Sequence, residues 1–332
     1  MRCLRFFRAF IPLAFIMAGL WTLIGIVGCK QTFEPKGPFE QKMVLYCILS
    51  NSSDAALVRL YTNYDVPGFD PLLQTADTPI SDAEVTLSLA GNQYSLHDTL
   101  LERTDKGRYI DDIHAYVYRP FPLEFGKSYA LTVSSPSYGT VSASMTVPDT
   151  GTISLENAYV LSDPGLFEYE YLTVHAFLSR FARGYLLRAL LVYQIDSAGT
   201  TILAQEEVPS GFLHFVDGEY KDPVYRQLTR RTSSESGGQP ESLIYTLQMF
   251  SHAKAALQAR YRGVNVKSKT AVFVLTQVES QLYNYYNIVN GFGDPYTIRV
   301  DQPDYTNIQN GLGVFGASVE QRLSVPLRND VW

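Results

Sequence analysis

A cysteine close to the N-terminus is the residue of this sequence best placed for covalent chemistry. Cys29 directly follows Gly28, and a cysteine sulfur is a nucleophile that can accept a lipid group. The chain before it begins with three arginines in its first eight residues and continues as an apolar run from Ala9 to Gly28, without an acidic residue. A basic start, an apolar stretch and a small residue at the cleavage point are typical of an export signal.

With Ile26-Val27-Gly28 before the cysteine, this segment resembles the signal of a bacterial lipoprotein. The resemblance implies cleavage before Cys29 and acylation of its thiol and amine with fatty chains such as palmitate. Since Lys30 and Gln31 follow instead of the aspartate that retains many lipoproteins in the inner membrane, it also implies the outer membrane. An uncleaved membrane anchor and ordinary secretion stay open, because about twenty apolar residues also span a bilayer.

Composition bounds the rest of the chain. Hydrophobic residues make up 46% and charged residues 18% of 332 residues, which excludes general disorder and allows a large core. The net charge of −6 argues against a nucleic-acid partner, and loss of the three signal arginines would leave an even more acidic body. Three cysteines exclude a disulfide-built scaffold.

Patterns along the chain predict a mainly β protein with two domains after a polar tether at residues 30–41. Within residues 42–148, short alternating segments such as Val85-Thr86-Leu87 are separated by turn signals, as expected for an immunoglobulin-like β-sandwich. Pro148-Asp149-Thr150-Gly151 is the predicted boundary. Residues 149–332 are predicted to form a larger β-rich domain with strands at 168–178, 184–195, 200–208, 223–229, 242–250 and 266–278, and helices at 251–260 and 279–290.

The C-terminal region carries a motif that resembles a known family. Asn307-Ile308-Gln309-Asn310-Gly311-Leu312-Gly313-Val314-Phe315-Gly316-Ala317 follows an aromatic helix, and looser matches lie at 44–49, 81–85 and 129–133. This pattern is similar to a Bacteroidetes-type lipoprotein family catalogued as domain of unknown function forty-two forty-nine. The resemblance implies a surface- or periplasm-facing lipoprotein, often encoded beside a TonB-dependent receptor, and it supplies no catalytic residues.

The glycines of that motif have a structural interpretation. Gly311, Gly313 and Gly316 are expected to permit tight turning and close backbone approach. They match a dinucleotide-binding pattern formally, but no strand, loop and helix unit follows, so we do not expect nucleotide binding.

The sequence gives little support for a metal site or for acid–base catalysis. The five histidines are scattered, and we interpret the stretch Asp111-Asp112-Ile113-His114 as a solvated loop. Asp217-Gly218-Glu219 with Asp222 lacks the alternating ligands and the closing glutamate of a calcium loop. We expect no metal, no cofactor and no enzyme activity, although two carboxylates from separate strands could still form a hydrolase site. Cys47 lies in an apolar run and is predicted to be a buried small hydrophobe.

Tyrosines are the candidate ligand contacts, among 23 in the chain. Tyr283, Tyr285 and Tyr286 on the second predicted helix, with Tyr116 and Tyr118, could form a platform for a sugar or a peptide, because tyrosine supplies contact area at low entropic cost. The alternative, which we favour, is that these rings close the edges of the core beneath loops.

These observations predict a non-catalytic lipoprotein of the outer membrane that acts as an accessory of a TonB-dependent receptor. The alternative is a surface-exposed glycan- or peptide-binding module that works without a barrel partner. The side of the outer membrane that the protein faces stays open.

Overall fold

Strands dominate the computed structural model, which describes residues 38–65, 74–104, 106–107, 109–162, 171–197, 200–217, 219–232, 239–290 and 305–327. The described residues from Gln41 on belong to one compact unit. The mainly β fold class predicted from the sequence is confirmed. Within the described part of the chain, no helix is long and apolar enough to cross a membrane.

The strands and helices follow in this order along the chain. The first group is β1 (Met43–Ser50), β2 (Ala56–Thr62), β3 (Glu84–Leu89), β4 (Asn92–Leu101), β5 (Ile113–Tyr118), β6 (Ser128–Ser135) and β7 (Gly139–Thr146). The second group is β8 (Thr152–Glu156), α1 (Tyr159–Ser162), β9 (Tyr171–Phe177), β10 (Gly184–Ser197), β11 (Thr200–Val208), β12 (Gly211–Val216), β13 (Glu219–Val224), β14 (Thr229–Arg230), β15 (Glu241–Thr246), α2 (Leu247–Arg260), β16 (Asn265–Val278), α3 (Ser280–Asn290) and β17 (Leu312–Pro326).

One large sheet connects both halves of the chain, in the strand order β11-β10-β16-β17-β1-β2-β5-β4-β3-β6-β7, with β14 beside β10. Its neighbouring strands are antiparallel, except that β17 runs parallel to β1. The first and last described strands therefore lie side by side near the middle of the sheet. A parallel pair needs a long connection between its strands, and here nearly the whole chain supplies it.

The first half of the chain forms a β-sandwich around what we call the first core. The strand β4 pairs with β3 through its first residues and with β5 through its last, so it passes from one layer to the other. Alternate side chains of both layers point inward, as the two-residue period of strands requires, and include Leu45, Val58, Leu87 and Leu131. Cys47 lies among them, fully buried, as predicted from its apolar surroundings.

The second core lies between β10, β11 and β16 on one side and the sheet β15-β9-β8 with helix α2 on the other. Phe250, Ala253 and Leu257 of α2 are buried in it at helical spacing. The strand predicted over residues 242–250 is therefore wrong for its last four residues, which belong to α2. At these four residues, the burial of one face of a helix outweighs the local preference for a strand.

The C-terminal motif turns at residues 308–311, as predicted: the Gly311 N–H donates to the Ile308 carbonyl oxygen at 3.4 Å, and Asn310 has a φ of +61°. The motif then continues into the fifteen-residue strand β17, which contains Gly313 and Gly316. Gly313 has a φ of +107°, and a Cβ on it would lie 1.9 Å from the Leu45 carbonyl oxygen. A Cβ on Gly316 would lie 2.7 Å from the Cβ of Leu282 on α3. Gly313 and Gly316 thus permit the close approach of a neighbouring strand and a helix, which was predicted, and they do so from within an extended strand.

Candidate ligand-binding groove

A groove of about 560 Å³ lies on the outer face of β1, β2 and the start of β17. Because alternate residues of β1 and β2 fill the first core, the residues between them point away from it and form the floor. Tyr46 of β1 lies opposite Arg59 of β2, and Val44 lies opposite Tyr61. Leu312, beside Val44 in the parallel pair, completes this floor.

Aromatic rings dominate the groove. Its described walls come from the segment after β2, from the loop before β5, from α3 and from the segment that leads into β17. Together with the floor they contribute six tyrosines, namely Tyr46, Tyr61, Tyr64, Tyr109, Tyr285 and Tyr305. Tyr46 is 38% exposed and the other five are half-buried, so the rings are held in place and still accessible to a ligand.

Helix α3 brings Tyr285 to the groove. The carboxylate of Glu279, directly before the helix, accepts the backbone N–H groups of Gln281 at 2.6 Å and Leu282 at 2.7 Å. Leu282 packs on Val278 and Val314 at the outer face of β17. The start of the helix is thus capped and its first turn fixed on the sheet.

The buried cap has an altered proton affinity. Glu279 is 3% exposed, and burial raises its pKa to about 7 despite the backbone hydrogen bonds that favour the charged form. Its protonation therefore changes near neutral pH, at the base of the helix that carries Tyr285.

Tyr285 belongs to a small aromatic group. Its ring centroid lies 6.2 Å from that of Tyr46 and 5.9 Å from that of Tyr286, both in edge-to-face arrangements. Burial, and then the neighbouring Tyr46, raises the pKa of Tyr285 to about 12. The phenol is therefore neutral at physiological pH and can donate a hydrogen bond.

Arg59 supplies a positive charge on the floor. Its guanidinium carbon lies 4.8 Å from the centroid of the Tyr61 ring, and its Nε donates a hydrogen bond to the Tyr61 hydroxyl. No described carboxylate forms an ion pair with Arg59. The guanidinium is held in place by Tyr61 while its charge stays without an anionic partner among the described residues.

Asp77, the other charged residue of the described lining, is in a different position. It forms an ion pair with Arg103, which is 9% exposed and whose Nε also donates to the Asp111 carbonyl oxygen at 2.7 Å. The Arg103 guanidinium lies 5.5 Å from the centroid of the Tyr109 ring. Arg103 thus neutralises Asp77 and ties two wall segments together.

The tyrosines predicted on the helix face different surroundings. Tyr285 lines the groove, and Tyr286 is its ring neighbour. Tyr283 packs instead on Gly184 of β10, where an added Cβ would lie 2.2 Å from its ring. Cys29, the predicted lipidation site, lies outside the described residues.

Tyr116 and Tyr118 lie on β5 rather than in a loop, and neither lines the groove. Tyr116 is 3% exposed; its hydroxyl accepts the Ala83 N–H at 3.0 Å and donates to the Ile80 carbonyl oxygen at 2.9 Å. The Tyr118 ring lies 5.3 Å from that of Tyr94. Both rings tie elements of the first sandwich together.

In each acidic stretch considered for metal binding, one residue lies beside a side chain of a neighbouring strand. The His114 ring lies 3.5 Å from the Asp98 carboxylate, and the His214 ring lies 2.9 Å from that of Asp222 on the neighbouring strand. Within the described ranges, no three His, Cys, Asp or Glu side chains are grouped so that they could hold a metal ion.

Sequence reasoning missed Tyr46, Arg59, Tyr61 and Asp77. The alternation in β2, with Arg59 and Tyr61 between buried residues, carried a signal for the outward face. Tyr46 likewise lies between buried residues of β1. The convergence of four distant segments on one groove leaves no trace in local sequence patterns.

A family model matches most of the chain. The family model described as "Domain of unknown function (DUF4249)" matches residues 30–324. No curated protein matches the chain.

Proposed function

The chain belongs to the DUF4249 family, and from that premise we propose that it is a lipid-anchored, non-catalytic binding protein of the outer membrane. The groove carries the binding part of the proposal. Its volume of about 560 Å³ lies within the range usual for ligand sites, and such sites combine aromatic walls with a few fixed polar groups. Arg59, Asp77 and the tyrosine hydroxyls are those polar groups here.

The charges in the groove favour binding over hydrolysis. Asp77 is the one carboxylate among its described lining residues, and Arg103 pairs with it. A glycoside hydrolase needs two carboxylates, one of them able to give up a proton, on either side of the bond that is cleaved. The described lining residues offer one acid whose charge is already neutralised.

Anchoring rests on Cys29 and the polar segment 30–41 before β1. Each acyl methylene group contributes about 0.8 kcal/mol on burial, so two or three acyl chains hold a protein on a membrane far more firmly than one. Replacing Cys29 with serine in the full precursor is expected to block processing and move the protein out of the membrane fraction. Cys3→Ser is the matched control and is expected to change neither; unchanged fractionation of Cys29→Ser contradicts the anchor.

The binding role is tested with the mature protein on a panel of oligosaccharides and peptides. Tyr61→Ala and Tyr285→Ala are expected to weaken binding of whichever probe is retained by at least about tenfold. Tyr138→Ala is the control, because Tyr138 is also exposed but lies in the turn before β7, outside the described groove lining. Binding that survives both groove substitutions contradicts the role of the groove.

Partnership with a TonB-dependent receptor is the more specific form of the proposal. It is supported by the family resemblance of the C-terminal motif and is tested by purification of the tagged lipoprotein from its own membranes in a mild detergent. Co-elution with a barrel protein is expected. A lipoprotein that elutes alone but still binds a ligand in the groove favours the alternative, a binding module without a barrel partner.

A further inference from the structure

The charge balance of the groove points to the kind of ligand it takes. Arg59 and Asp77 are the charged residues of its described lining, and Asp77 is neutralised by Arg103. Arg59 uses Nε for the Tyr61 hydroxyl, so its two terminal nitrogens have no described partner. A guanidinium with both terminal nitrogens available matches the two oxygens of a carboxylate.

The rings around Arg59 suit a saccharide. Ring faces of tyrosine carry negative potential and attract C–H groups, whereas the phenol hydroxyl exchanges hydrogen bonds at the rim. A pyranose offers both complements, a face of C–H groups and a rim of hydroxyls. Tyr46 is the most exposed of the six rings and lies on the floor opposite Arg59, so one sugar ring could contact both.

The sheet beneath the groove disfavours an extended peptide. Peptides that bind sheets usually add a strand at a free edge, where main-chain hydrogen bonds supply the affinity. Val44 of β1 pairs with Leu312 on one side and with Tyr61 on the other, so the floor has no free edge at this position. A peptide here would have to satisfy its backbone with side chains alone.

We therefore propose that the groove binds an acidic saccharide, with a sugar carboxylate on Arg59 and sugar faces on Tyr46 and the neighbouring tyrosines. This inference rests on the proposed binding role and narrows it to one class of ligand. Arg59 is then the residue that selects acidic over neutral sugars.

The test compares each acidic probe with the same molecule without its charge. The mature protein is titrated calorimetrically with trigalacturonate, an alginate trimer, a hyaluronan tetramer and sialyllactose, and with the methyl esters of each. We expect at least one acid to bind at least about tenfold more tightly than its ester. Arg59→Gln is expected to remove that difference, whereas Arg119→Gln, an exposed arginine outside the described lining, is expected to preserve it.

The outcomes separate this inference from the proposed function. An acid and its ester that bind equally, or an unchanged preference in Arg59→Gln, overturns the assignment of Arg59. Binding of neutral sugars or peptides alone, lost in Tyr285→Ala, overturns the ligand class but supports a binding groove. If no probe of the wider panel requires Tyr61 or Tyr285, both proposals fail together.

Discussion

The carboxylate of Glu279 is subject to two opposing effects on its pKa. Its oxygens accept two backbone N–H groups at the start of α3, which favours the charged form, while its position against Gly316 of β17 removes it from water. Burial has the larger effect, because the pKa is raised to about 7. An N-cap that is usually charged therefore becomes sensitive to pH in the physiological range.

This cap makes a prediction for stability against pH. Since the pKa of Glu279 rises from its ordinary value of 4.5 to about 7 on folding, the folded protein keeps a proton that the unfolded chain releases between these values. The contribution of this proton to the free energy of unfolding is complete below the unfolded pKa of 4.5. It is lost as the pH rises through the folded pKa of about 7, a change on the order of 3 kcal/mol.

Urea unfolding of the wild type and of Glu279→Gln at mildly acidic and mildly alkaline pH checks this expectation. Because glutamine does not titrate, the free energy of unfolding of the wild type should fall relative to the variant as the pH rises. Glu84→Gln, at an exposed strand position, is the control and should leave the pH dependence as it is. If the free energy of unfolding depends on pH in the same way in the wild type and in Glu279→Gln, the raised pKa of Glu279 is contradicted.

Among the elements, β17 is bordered by different strands along its length. It pairs with β1 from Leu312 to Ser318 and with β16 from Ser318 to Pro326.

Two asparagines bind the backbone of β17 where a neighbouring strand is missing. The side-chain amide of Asn307 binds both the N–H and the carbonyl oxygen of Phe315, at 2.9 and 2.8 Å, before β16 reaches the strand. The side-chain amide of Asn51 binds the N–H and the carbonyl oxygen of Glu320, both at 2.8 Å, beyond the end of β1. The two amides continue the hydrogen-bonding ladder where a neighbouring strand is missing.

The asparagine in the C-terminal motif therefore has a structural role that can be measured. Asn307→Ala is expected to reduce the free energy of unfolding by about 1–3 kcal/mol, because it leaves the N–H and carbonyl of the buried Phe315 without these partners. Asn51→Ala should have a smaller effect, since its bonds are exposed and water can replace them.

Chemical denaturation of both variants, with Gln93→Ala on the exposed face of β4 as a control, gives the comparison. An effect of Asn307→Ala no larger than that of the control would show that water satisfies the backbone of Phe315 equally well.

Over the whole molecule, β17 contributes side chains to both cores. Phe315, Ala317 and Val319 belong to the first core, and Leu323 and Val325 pack against the second. Removing β17 would therefore take side chains out of both cores. The two domains predicted on either side of Pro148 therefore share one strand.

We expect the two cores to unfold together. Calorimetry should show one transition, and Val319→Ala in the first core and Leu257→Ala in the second should each shift that same transition to lower temperature, because each leaves a buried cavity. Two resolved transitions, each moved by only one of the substitutions, would show instead that β17 does not couple the cores.

Local patterns predicted much of the secondary structure. The strand at 200–208 and the helix near 279–290 have the predicted bounds within a residue. For the helix, apolar residues at three- and four-residue steps indicated which face is buried. The proposed acylation of Cys29 also rests on the sequence alone, because it depends on the residues next to Cys29 along the chain. Tyr285 was a candidate ligand contact for the same reason, as one of several aromatic residues on one helix.

Tertiary structure alone decided where these parts meet. The pairing of β17 with β1 joins residues about 270 positions apart, as do the bonds of Asn51 to Glu320, and no local period encodes such a contact. The groove has a similar origin: Tyr46 and Arg59 face each other across the pair of β1 and β2, but Tyr285 joins them only when α3 packs on the first sandwich. Periodicity tells which side of an element is buried, whereas the packing of distant elements decides what lies opposite its exposed side.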